Sequence, residues 1–101
     1  MAGSTDDTNF YPRADAVINL VNEQARTAPA DRAVMSATFA AARLNAWMCA
    51  NMCGTGDEMA GRRAEAERIF GDEFRKMFLE HYDDYIANFD AYRKMAQGRP
   101  D

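Results

Sequence analysis

The chain has 101 residues, a formal net charge of -4, and 48% hydrophobic and 28% charged residues, enough for one small domain around one hydrophobic core. The acidic balance disfavours a duplex nucleic-acid binder, which needs surplus Lys and Arg, and disfavours docking on an anionic membrane surface. β-Branched residues are scarce while Ala, Met, Arg and Glu are abundant, so helix is favoured over strand.

Residues 1–8 carry almost no apolar side chains and read as a loose tail, and residues 98–101 as a second one. Residues 9–97 are expected to form the single domain. The segment Met1-Ala2-Gly3-Ser4-Thr5-Asp6-Asp7 is polar and acidic, unlike a secretory signal. No uninterrupted apolar run approaches the roughly 20 residues that span a bilayer, and Cys49 and Cys53 suit a reducing compartment as free thiols. A cytoplasmic location is therefore expected.

A first helix is expected from Asn9, which can cap it, with Pro12 in the first turn where its missing N–H does no harm. Ala14, Val17, Ile18, Val21 and Ala25 form its apolar face. Thr27-Ala28-Pro29-Ala30-Asp31 breaks the chain, with Asp31 as cap of a second helix that runs to Cys53 and stops at a left-handed Gly54. That helix has two apolar stripes. One holds Val34, Ala37, Ala41, Leu44, Met48 and Met52, and the other Met35, Phe39, Ala42, Ala46 and Cys53. So wide an apolar arc marks a central helix touched on two sides.

Thr55-Gly56-Asp57-Glu58 has the form of a capping box and should start a third helix. Its stripe is Met59, Ala66, Phe70, Phe74, Met77, Phe78, His81, Tyr85, Phe89 and Tyr92, in one phase throughout. A single helix over that stretch is about 60 Å long and overhangs its shorter neighbours. Either it folds back near Asp83 as a fourth helix, or a second subunit covers the aromatic end.

Several residues invite chemistry. Cys49 and Cys53, with Met48 and Met52 beside them, have the soft donors of a Cu(I) site. Two cysteines four apart do not make a closed zinc site, and buried thiols and thioethers as packing material are favoured. His81 is the only histidine; a hydrogen-bonded position at the core edge is favoured over a ligand or base partnered by Asp84. The Glu-x-x-His pair of di-iron bundles is absent, since Phe78 stands three residues before His81. Phosphate-cradling glycine patterns are absent too. The basic cluster Arg62, Arg63, Arg68, Arg75 and Lys76 is interleaved with Glu65, Glu67, Asp72 and Glu73, as on a solvated helix face. Trp47 lies off both stripes with Arg43 one turn behind it, a spacing that allows a cation–π stack and suits an interface anchor.

Three stretches together carry a likeness: Ala14-Asp15-Ala16-Val17-Ile18-Asn19-Leu20-Val21-Asn22-Glu23-Gln24, Ala40-Ala41-Ala42-Arg43-Leu44-Asn45-Ala46, and Phe74-Arg75-Lys76-Met77 running into Asp83-Asp84-Tyr85-Ile86-Ala87-Asn88-Phe89-Asp90. Over residues 9–92 the chain resembles a family of short bacterial helical proteins filed as a domain of unknown function. The resemblance implies an all-helical fold in a bacterial cytosol and brings no activity, cofactor or catalytic residue.

The expected architecture is all-α: a three-helix antiparallel bundle with a long C-terminal helix, continuous or split near Asp83. The expected role is a self-associating interaction module, a homodimer, with Arg43, Trp47, Tyr82, Tyr85, Phe89 and Tyr92 at its interface. The alternative is a small-ligand or soft-metal binder using Cys49, Cys53 and His81. No pair of groups is placed by motif for acid–base or nucleophilic work, so no catalytic residue, cofactor or metal ligand is assigned.

Overall fold

Helices α1 (Phe10–Gln24), α2 (Ala30–Asn51), α3 (Gly56–Gly61), α4 (Arg63–Ala87) and α5 (Phe89–Lys94) make up the regular structure of the computed structural model, which describes residues 7–94. Among those residues there is no strand. The all-α expectation holds, but with five helices in place of three. The expected tails fall largely outside the described residues. Neighbouring Cα atoms divide the chain into two compact units, and the boundary lies within α2, between Ala40 and Ala41.

In the first unit, α1 starts with Asn9 at the capping position, but the Asn9 side chain makes no capping bond. Asp7 does that work instead. Its carboxylate accepts the Asn9 N–H at 3.2 Å and pairs with the Arg13 guanidinium, while its carbonyl accepts the Phe10 N–H at 3.3 Å. The hydrogen bond from Arg13 holds the Asp7 carboxyl below its ordinary range. Ala14, Ile18, Val21 and Ala25 are half-buried, as their spacing predicts, whereas Val17 is exposed. The chain leaves α1 through tight turns, Ala25 donating to the Val21 carbonyl at 2.9 Å and Thr27 to that of Gln24 at 3.2 Å.

Helix α2 begins one residue before the expected cap. Pro29 precedes it and its carbonyl accepts the N–H groups of Arg32 and Ala33, each at 3.0 Å, which leaves Asp31 in the first turn where a carboxylate favours the helix dipole. Ala33 is the one buried hydrophobic residue among those described, and Ala37 is half-buried.

In the second unit, α2 closes with short-range bonds, Met52 N–H to Cys49 at 3.0 Å and Cys53 N–H to Ala50 at 3.1 Å. The left-handed stop expected at Gly54 does not form; its backbone stays out of that region. The Gly54 N–H instead donates to Glu58 Oε1 at 2.8 Å, and Thr55 Oγ1 accepts the Glu58 N–H at 3.0 Å. The Thr55 half of the anticipated box forms, the Glu58 carboxylate takes the N–H of Gly54 in place of that of Thr55, and Glu58 Oε2 also takes the Arg62 guanidinium at 2.8 Å. A single non-helical residue, Arg62 at φ -98° and ψ 3°, then separates α3 from α4. The third helix of the sequence reading is thus interrupted at Arg62. It passes Gly71 and Asp83 unbroken and ends at Ala87, four residues beyond the split expected near Asp83.

Candidate interaction surface

Asp84 organises the end of α4. It stands in the last turn, where a negative charge opposes the helix dipole, and two donors to its carboxylate offset that cost. The Asn88 N–H reaches the Asp84 carbonyl at 3.0 Å, the Asn88 side-chain amide reaches its Oδ1 at 2.9 Å, and the Tyr92 hydroxyl reaches its Oδ2 at 2.8 Å. The hydrogen bond to this carboxylate raises the Tyr92 phenol above its ordinary range, with desolvation and charge repulsion adding to it. The Tyr85 and Tyr92 rings lie 4.4 Å apart, tilted by 48°, and both are half-buried. Arg93 sits 5.5 Å over the Phe89 ring. Tyr85 and Tyr92 therefore pack against each other where α4 meets α5, while Phe89 stays exposed beside Arg93.

Tyr82 belongs to a different feature. On α4 the rings of Phe74 and Phe78 stack at 6.2 Å and those of Phe78 and Tyr82 meet at 5.5 Å, a ladder one helical turn per rung. All three are exposed. The spacing of Phe74 and Phe78 is visible in the sequence, where it reads as core; only the structure shows that this chain leaves the ladder uncovered.

Trp47 is exposed on α2, and so is Arg43, but they do not stack. The cation–π contact that their spacing allows does not form, and among the described residues Arg93 stands over Phe89 instead. Of the residues in the two apolar stripes only Ala37 and Cys53 are half-buried, and the buried Ala33 belongs to neither stripe. Phe39 is 71% exposed, Leu44 63% and Met52 70%. The expectation that both sides of α2 are covered does not hold within one chain.

Cys49 and Cys53 are free thiols, His81 is exposed, and no group of three or more His, Cys, Asp or Glu among the described residues is placed to hold a metal ion. Asp84, considered as a partner for His81, is occupied by Asn88 and Tyr92. Asp7 did not stand out in the sequence, and Asp84 did so only as a partner for His81. The signals were there as Asp-x-x-x-Asn-x-x-x-Tyr at helical spacing and as Asp-x-Asn ahead of a helix.

These features define a small all-α protein in which, among the described residues, many large apolar side chains are exposed and no helix is long and apolar enough to cross a membrane. The chain belongs to the family described as Protein of unknown function (DUF3144), which it matches over residues 10–86, from the first residue of α1 to the penultimate residue of α4. No curated protein and no solved structure matches it.

Proposed function

We propose that the chain is a cytoplasmic, bacterial interaction module that works as a homodimer. One observation carries this. Among the described residues nineteen large apolar side chains are exposed while Ala33 alone is a buried hydrophobic, and a chain of this size cannot offset its conformational entropy with so little burial. A second copy supplies the missing cover, completes the antiparallel bundle expected from the sequence, and makes residues 9–97 act as one domain. Arg43 and Trp47 on α2, and Tyr82, Tyr85, Phe89 and Tyr92 at the end of α4 and on α5, are the surfaces offered to partners. The net charge of -4 makes a protein a better partner than nucleic acid or an anionic membrane. Free thiols at Cys49 and Cys53 suit a reducing compartment, and the bacterial setting follows from the family resemblance. Sedimentation equilibrium at micromolar concentration tests the proposal: a mass near twice 11.3 kDa is expected, and a monomer across the range refutes it.

A further inference from the structure

The basic cluster of α4 is interleaved with acids along the sequence, but the helix sorts the two signs. At about 100° per residue, Arg75 and Arg68 lie about 60° and 80° to one side of the Phe74, Phe78 and Tyr82 ladder. Asp72, Glu73 and Glu80 lie about 120° or more away from it, on the back of the helix. There Lys76 pairs with Glu73 at 3.8 Å. Arg68 and Arg75 are exposed and make no ion pair among the described residues. Glu67, two turns before Phe74, is the one carboxylate of α4 on the ladder's face. An acidic chain thus carries a cationic edge beside its exposed rings, all within one compact unit.

Gly71 is a second feature of this face, within about 20° of the ladder's direction. Apart from its two neighbours and the helix's own backbone, no described atom comes within 4 Å of where a Cβ would stand. Glycine inside a helix weakens it relative to alanine, and no packing within the chain calls for one here. It leaves a recess beside Phe74 and Arg75 that an apolar side chain of a facing helix can enter.

Charge selects the occupant. A second copy laid antiparallel on this face brings the arginine edge against its own copy, and laid parallel brings it against the edge of Arg63 and His81. Neither edge supplies a carboxylate. A nucleic-acid strand or an anionic membrane meets a chain of net charge -4. An amphipathic helix with acidic flanks meets neither conflict. Its apolar stripe covers the rings, and carboxylates two turns apart on one flank reach Arg68 and Arg75.

We infer that the ladder face of α4 docks an acidic amphipathic helix of a different protein, its carboxylates on Arg68 and Arg75 and an apolar side chain at Gly71. This rests on the interaction-module reading above and is independent of the homodimer.

The probe is a labelled amphipathic peptide of three heptads with one leucine stripe flanked by glutamates, titrated with the full chain by fluorescence anisotropy. Its twin has lysine at every glutamate. The glutamate peptide should bind at least about 10-fold more tightly than the twin, although the net charge of -4 favours the twin. Arg68→Glu combined with Arg75→Glu should reverse that order, with circular dichroism unchanged because both side chains are exposed. Phe78→Ala should weaken both peptides about 10-fold. Equal affinities, a preference for the twin, or no binding of the glutamate peptide at millimolar concentration overturns the inference. So does binding of a single-stranded thymidine oligonucleotide or of phosphatidylserine vesicles that the double arginine variant abolishes. Sedimentation equilibrium separates this proposal from the homodimer. A monomeric parent that prefers the glutamate peptide refutes self-association alone, and a dimeric parent without that preference refutes docking alone. A double arginine variant that loses its dimer assigns the face to a second copy and overturns the docking.

Discussion

Truncating Leu44 to alanine separates what one chain covers from what its assembly covers. A leucine moved fully from water to an interior contributes about 1.5–3 kcal/mol. Leu44 is 63% exposed, so a little over one third of that is realised within the chain, about 0.5–1 kcal/mol. Had Leu44 been in a closed core, its loss together with the cavity left behind would cost about 2–5 kcal/mol. Urea unfolding followed by circular dichroism, repeated over a hundredfold range of protein concentration, distinguishes the two. At the lowest concentration the variant should lose no more than about 1 kcal/mol, and the gap from the parent should widen as concentration rises and the oligomer fills. A concentration-independent loss of several kcal/mol would mean that one chain buries Leu44 by itself, and the account of α2 as a helix uncovered in its middle would be wrong.

Thr55→Ala removes the acceptor that satisfies the Glu58 N–H at 3.0 Å, and a loss of about 0.5–2 kcal/mol by urea titration is expected, with Thr55→Ser recovering most of it. Absorbance titration should find the Tyr92 phenol ionising above its ordinary range, and Asp84→Asn should bring it down. The sign follows from the direction of the Tyr92 shift: a phenol raised in the folded state stabilises it fully below the unfolded tyrosine pKa, and that contribution disappears as pH rises through the folded value. Thermal unfolding compared with Tyr92→Phe should therefore converge at strongly alkaline pH and differ at neutral pH. Trp47→Ala should leave helix content unchanged and weaken self-association or partner binding by about 2 kcal/mol; unfolding as severe as a core truncation would make Trp47 a packing residue.

Much of the helical layout was readable from the sequence because its signals are local. Pro29 bounds α2, and Thr55 with Glu58 starts α3 through bonds spanning a single turn. The break at Arg62 was hidden for a physical reason: one residue at φ -98° and ψ 3° hardly disturbs the helical phase, so the apolar stripe from Met59 to Tyr92 continues through it. The end of α4 was misplaced because paired aspartates read as a breaker, whereas Asp84 here receives donors from Asn88 and Tyr92 and so tolerates its position. The aromatic residues chosen for an interface divide in the same way. Periodicity places Tyr82 and Tyr85 on α4, but it does not say that Tyr85 finds Tyr92 at 4.4 Å while Tyr82 stays open. A helical wheel gives the direction of a side chain and is silent on what, if anything, lies there.

The hydroxyl groups of α2 change what that helix offers a neighbour. Ser36 donates to the Arg32 carbonyl at 2.9 Å and Thr38 to the Val34 carbonyl at 3.4 Å, each turning its oxygen back onto its own helix. Their hydrogens are spent internally, so a contacting surface need not provide acceptors for them and strands no donor by excluding water. Thr38 then presents chiefly its methyl group. The outer skin of α2 is thus less hydrophilic than its spelling suggests, and dehydrating it costs less than a count of its polar letters implies.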